Sequence, residues 1–558
     1  MKQRAITLLA NLADPAKQVT LENLLRRRGD EVQPGPASVA GGFGAIQQLH
    51  FLSMFVIGPH GDKPAQLGLE AHFDGGKREF VLGLVEKERG FLDQAFSFCS
   101  DYPGRTATKE QVADYLAAAE ICCELSYVGS PGRGAEQIEE ERQFAARVEQ
   151  CVDRLGRPDC RRFDYVMRIW RALAPADREL VRNTPPAPYL VRHRLLEHPY
   201  KYAYELVLGL LKLPAVLCFA LVAARLLDIP VPDSLTAPES VIAGTLCWAK
   251  WLLLFAGAVI VLLLLQFWHE FPKELTAATR RYVAGVKLSE LFVTALRALP
   301  DFAVLLGVIA LLYWQGDLIA YVFICSLLWA LGIAGIAAAI VLAVLIWIGF
   351  AELTDSVCEL KWDAAKAGRI GEREERGVHN HFVSVTDIRP GPIRWFALWV
   401  WLQTVNIAAL VLYNPRGLFS TQSIHFARWA ILPGRRQLLF LTNYGGSFGG
   451  YLGIFATLGA PGVSGIWGNT ELFPRTFLLF GGGGARDEQR FKCRARDSQF
   501  ESLLWYRRYA DLTMSAIARN AAIREDLKRF SECCVPGAAR MSEADLDTFL
   551  RRLSVRCP

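Results

Sequence analysis

The sequence predicts an α+β protein in which two similar halves, each a sheet packed against helices, flank a block of four transmembrane helices. Three observations carry this. Hydrophobic residues make up 52% of the 558 residues and charged residues 21%, with a mean hydropathy of +0.20. Long apolar runs crowd the middle of the chain. Aromatic-rich motifs between residues 49 and 127 recur between 424 and 506.

This composition excludes disordered, collagen-like and small disulfide-rich proteins. With 62 basic against 56 acidic residues, the net charge of +6 does not call for nucleic acid as a partner; it suits the loops of a membrane protein. The 13 cysteines include no CxxC and no zinc-ligand spacing, which points to reduced thiols in a cytoplasmic setting. The apolar run at the N-terminus (MKQRAITLLANLADPAKQ) is too short for a secretory signal, so the N-terminal half is expected to stay inside.

A membrane span needs about 20 apolar residues. Spans are expected at about 204–227, 241–268, 301–315 and 318–350, the last two joined by Gln315–Asp317. Loop 228–239 has no Lys or Arg, whereas loop 269–299 carries Lys273, Arg280, Arg281, Lys287 and Arg297. The positive-inside rule then places both flanking halves, 1–200 and 416–558, in the cytoplasm of a multi-pass bacterial inner-membrane protein. Within the linker 351–415, the Trp-rich stretch 395–413 reads as an interfacial or re-entrant helix.

In each half, LHFLSMFVI (49–57) and IHFARWAIL (424–432) read as strands. PAQLGLEAHF (64–73) and RQLLFLTNY (436–444) read as second strands after a Gly-containing turn. GVSGIWGNT and RTFLLFGGGG read as further short strands, and 108–127, 136–155, 486–495 and 509–530 as helices. The halves align: His50 with His425, Ser53 with Arg428, Phe98 with Asn469, and Leu125-Ser126-Tyr127 with Leu504-Trp505-Tyr506. The step from Phe80 to Tyr102-Pro103 equals that from Tyr451 to Phe473-Pro474.

Together with His379-Asn380-His381, VSVTDIRPGPIR, LTNYGGSFGGY, GIWGNT, WYRRY and ADLTMSAIARNAAIR, this layout resembles the dimeric α/β-barrel (ferredoxin-like) superfamily, which includes Dyp-type haem peroxidases and chlorite dismutase-like proteins. More narrowly, 378–525 resembles an uncharacterised bacterial family related to Dyp-type peroxidases. The resemblance implies a haem or metal ligand, for which His425 is the candidate. The GxxDG motif of Dyp-type peroxidases is missing: HFDGG (72–76) lacks its leading Gly.

The residues themselves mark the C-terminal half as the working one. His425 on its strand could shuttle protons. Alternation groups it with Ala427 and Trp429, and groups Arg428 with Ile424 and Phe426. A guanidinium on an apolar strand needs an anionic partner, either internal or a ligand. Asn469 and Tyr506 complete the expected catalytic set. His381, Asn443, Tyr444, Arg475 and Asn520 are the expected ligand-binding set. No P-loop, GxGxxG, GxSxG or HExxH occurs. The expected function is binding of, or action on, a small or lipid-derived molecule at the membrane surface, with redox or haem chemistry implied by the resemblance. The expected partners are the bilayer and a soluble redox protein. The alternative is a non-catalytic module that recruits a soluble partner such as a peroxidase.

Overall fold

Six strands of nine residues each form the centre of the structure, a computed structural model: β1 (Gln3–Asn11), β2 (Leu49–Ile57), β3 (Gln66–Asp74), β5 (His379–Asp387), β6 (Ile424–Leu432) and β7 (Gln437–Gly445). The described residues are 3–32, 42–156, 158–183, 339, 342–357, 359–360, 363–374, 377–408, 423–434, 436–479, 481–534 and 541–555. Those up to 183 and from 344 onward belong to one unit.

Four-residue strands β4 (Leu125–Val128) and β11 (Leu504–Arg507) end the two repeats. Each leaves its own repeat. The sheets run β1-β3-β2-β11 and, with the short β10 (Gln499–Phe500), β10-β5-β7-β6-β4. The segment before β4 first bonds to β1: Leu9 N–H donates to Ala119 O at 2.9 Å and Ile121 N–H to Thr7 O at 2.9 Å. It then crosses, with Glu124 N–H on Trp429 O at 3.0 Å, and pairs with β6. On the opposite side β10 pairs with β5, and the chain crosses to β2 through Leu503 N–H on Met54 O at 3.0 Å. Both sheets are thus stitched together at both sides, and edge groups that would be open are paired.

Residues alternate between the two faces of each sheet. Outward-facing Leu52, Met54, Leu67, Leu69, Ala71 and Phe73 pack under α1 (Gln18–Glu31), α2 (Lys77–Phe96) and α3 (Lys109–Ala118). Phe382, Phe440 and Tyr444 pack in the same way under α10 (Phe448–Thr457), α11 (Ala460–Trp467) and α12 (Glu488–Ser498). The repeats place matching rings in matching contacts. Phe73 stacks on Phe80 at 3.9 Å, and Tyr444 on Tyr451 at 4.0 Å. A third core joins α4 (Ala135–Leu155), α5 (Arg162–Ala172) and α6 (Pro175–Arg182) to α13 (Met514–Cys533) and α14 (Glu543–Arg552).

Several expectations are corrected. The halves are not two closed ferredoxin-like units, because each completes its sheet with the other's last strand. GVSGIW is helical (α11, with Pro461 in its first turn), and RTFLLFGGGG yields only the two-residue strands β8 (Thr476–Phe477) and β9 (Gly482–Gly483). The transmembrane architecture and the inner-membrane placement are also overturned: among the described residues no helix is long and apolar enough to cross a membrane. The segments 204–227, 241–268 and 301–315 lie outside the described residues. Of 318–350, residues 339 and 342–350 are described; the latter lie in helix α7 (342–354). α8 (Ala364–Glu374) follows, and the Trp-rich stretch forms α9 (Pro392–Ala408), which buries Leu398, Leu402 and Val405 in the core.

The crossing of β4 leaves no room at Gly129, where a Cβ would lie 2.2 Å from Ile424 O. Gly129→Ala should therefore cost about 1–3 kcal/mol, read as a lower denaturation midpoint with an unchanged denaturant slope.

Candidate functional site

The space between the sheets has an apolar and a polar end. At the apolar end Leu9, Phe55, Ile57, Val383, Val385, Ala430, Leu432, Leu439 and Leu441 form a core. At the other end the inward positions carry Glu70, His72 and Asp74 from β3, His379 and His381 from β5, and Asn443 from β7, all buried.

His50 and His425 reach this space through equivalent irregularities. The register slips between Leu49 and Phe51 in β2, and between Ile424 and Phe426 in β6. Each slip is a β-bulge, which turns the extra residue and re-aims its side chain. Strict alternation therefore fails, and His425 and Arg428 belong to the same interior.

Two acid–imidazole chains line the space, the first joining the two sheets and the second lying on β2 and β3 of one sheet. In the first, His381 Nδ1 lies 2.7 Å from Ser502 Oγ, and His381 Nε2 lies 2.8 Å from Glu70 Oε2. Ser53 Oγ is also 3.2 Å from that nitrogen, and the other Glu70 oxygen is 3.1 Å from His72 Nε2. In the second, Tyr509 OH meets His50 Nδ1 at 2.9 Å, and His50 Nε2 lies 3.1 Å from Asp74 Oδ1. Ala135 N–H donates to the other Asp74 oxygen at 2.7 Å. Burial works against the Glu70 carboxylate, yet the neighbouring His72 and the hydrogen bond from His381 outweigh it and hold the carboxyl below its usual range.

Beside these chains lie groups without partners. Both ring nitrogens of His425, Nε and Nη1 of Arg428 and Nδ2 of Asn443 are buried and make no hydrogen bond. Asn443 Oδ1 accepts from Trp505 Nε1 at 3.1 Å. Burial pushes His425 well below the ordinary imidazole value and His379 down to about 4. Both rings are therefore neutral near pH 7.

Of the residues expected from sequence, His425, Arg428, His381 and Asn443 come together here. The others do not. Tyr444 faces outward onto Tyr451, and Tyr506 packs near Phe43 at 5.9 Å. Asn469 donates to Gly465 O at 2.8 Å, just beyond α11. Asn520 lies on α13 next to Arg519, and Arg475 O accepts from Gly484 N–H in the β8–β9 turn. Glu70, His72, Asp74 and His379 were missed. The period-2 pattern EAHFD carries the first three, and the polar HNH at 379–381 hides the start of β5.

A haem does not fit at His425. The residue is 1% exposed, and its ring is enclosed by His379 at 4.4 Å, Phe51 at 5.4 Å and Tyr509 at 6.0 Å, which leaves no room for a macrocycle. Among the described residues no group of three or more His, Cys, Asp or Glu side chains could hold a metal ion. In comparisons with known proteins, no family model, curated protein or solved structure matches the chain. The ferredoxin-like and Dyp-type resemblance is left without support.

The buried imidazoles have a consequence for stability. A histidine whose folded value is depressed is neutral in the native state and takes up a proton on unfolding below 6.5, so stability falls as pH drops from 6.5 toward the folded value. For His379, going from 6.5 to about 4, the loss is roughly 3 kcal/mol. The depressed Glu70 adds to the loss below 4.5. The unfolding free energy should change little between pH 7 and 8 and fall steeply between pH 6.5 and 4. His425→Phe should make that fall shallower in pH-dependent denaturant titrations.

Proposed function

We propose that the polar end of the space between the sheets binds a small anionic compound, a short carboxylate or a phosphate, and moves a proton on it. The observation that carries this reading is Arg428. The residue is 5% exposed, and two of its guanidinium nitrogens are buried without a partner. A buried, unpaired charge is strongly unfavourable, whereas an anion there would gain charge-assisted hydrogen bonds.

The surroundings suit such a guest. Asn443 Nδ2 is a second unpaired donor. The neutral His425 imidazole has one accepting and one donating nitrogen, and neither is engaged by another protein group. The Glu70–His381 and Asp74–His50 pairs supply acid–base groups at fixed distances, held by both sheets.

Arg428→Met tests this directly. Phosphate and malonate should raise the melting temperature of the unaltered protein in proportion to the logarithm of their concentration. The variant should lose that response and, without ligand, be more stable by about 1–4 kcal/mol, because a buried charge has been removed. If phosphate and malonate leave melting unchanged, or act equally on the variant, the reading fails.

A further inference from the structure

The backbone stitches the sheets together at both sides, but side chains fill the two seams unequally. On β11, Trp505 stands directly across from Ser53 of β2 and faces the space between the sheets. Its Nε1 donates to Asn443 Oδ1 at 3.1 Å, its ring lies 6.2 Å from that of His381, and the Arg507 guanidinium lies over it at 4.7 Å. Two large side chains therefore fill this seam. The bond to Oδ1 also leaves Nδ2 as the free donor of Asn443.

On β4 the equivalent positions hold Ser126 and Val128. Ser126 stands directly across from Arg428 of β6. Residues paired in this way share a face of the sheet, with their Cβ atoms about 5 Å apart. Leu125 and Tyr127 point the other way, into the core under the helices. Ser126 thus faces inward, yet it is exposed, whereas Arg428, His72 and Glu70 are buried. An inward-facing residue meets solvent only where the space between the sheets is open, which places the opening at the β4 seam beside Arg428.

Each seam pairs one large residue with one small one, in opposite order. Trp505 is on the outer strand and plugs its seam, with Ser53 behind it. At the other seam Ser126 is on the outer strand and Arg428 lies behind it. The nearby acids are committed elsewhere: Glu124 accepts from Ile431 N–H at 2.8 Å, and Glu70 is held by His72 and His381.

We infer that anions reach Arg428 through the β4 seam and that Ser126 is the residue that keeps this entrance open. The inference rests on the anion reading of Arg428 and adds to it the route and the residue that controls it.

The full chain is titrated with phosphate and malonate, followed by calorimetry and by melting temperature. Ser126→Trp, which copies the plug of the other seam, should weaken both anions about tenfold or more. It should leave melting without ligand unchanged, because the position is exposed. Ser126→Ala should bind as the unaltered protein does. Ser126→Glu places a carboxylate directly across from Arg428; it should raise the melting temperature without ligand and remove the response to both anions. Ser126→Gln should not raise it. Equal affinity in Ser126→Trp, or no stabilisation by Ser126→Glu, overturns the inference and leaves the anion reading standing. No response of the unaltered protein to either anion overturns both. If Ser126→Trp does not fold, Ser126→Glu decides alone.

Discussion

Everything at the candidate site depends on the exchange of the last strands between repeats. Because residues 119–128 run along β1 and then β6, and residues 499–507 along β5 and then β2, neither sheet can part from the other without losing ladder hydrogen bonds at two seams. This fixes the spacing of the inward faces. The 2.8 Å contact between Glu70 on one sheet and His381 on the other needs that spacing. It also removes water: Glu70, His72, His50 and His425 are each at most 1% exposed. In such surroundings charge interactions strengthen and unpaired polar groups become costly.

The repeats share a backbone but not their chemistry. At equivalent inward positions, Glu70, His72 and Asp74 of β3 correspond to Leu441, Asn443 and Gly445 of β7, and Ser53 of β2 corresponds to Arg428 of β6. The acids come from the N-terminal sheet; the arginine and His381 come from the other. Two copies of the first repeat would crowd four carboxylates into one dry space, and two copies of the second would oppose two guanidinium groups. Like charges at such separations cannot all stay ionised. Complementarity therefore requires the two different repeats in one chain, and the charge pattern selects this pairing over either symmetric one.

Much of the strand framework was legible. The motifs LHF and IHF, the two Gly-containing turns and the equal spacings to Pro103 and Pro474 located β2, β3, β6 and β7 and paired His50 with His425. Three features were not legible, for separate physical reasons. The bulges at His50 and His425 break the alternation on which face assignment rests, and nothing in the residue pattern announces them. β5 has polar inward residues at one end, so its His379-Asn380-His381 imitates a loop. The strand exchange is a choice between partners of equal length and similar composition, since β4 and β11 have four residues each. The apolar middle of the chain drew the fold assignment toward membrane spans, while the described helices of the unit pack on the sheets or, as α4 to α6 with α13 and α14, on one another.

β5 shows how one strand serves two separate purposes. Its inward residues His379 and His381 give way to Val383 and Val385, so the polar site ends where the apolar core between the sheets begins. Its outward residues run from Phe382, in the core under α10, to Ser384, which bonds to Ser498 of α12 at 2.7 Å, and Thr386. The period of two along an extended backbone keeps these sets apart: no side chain of β5 can reach both faces. The sheet between them is a layer of paired backbone groups, and exchange of a proton or ligand across it would break the ladder. The polar site and the core under α10 to α12 therefore share a scaffold without sharing a compartment. Both depend on the position of β5, which is held by β7 along its full nine-residue register and by the two pairs of β10 at its other edge.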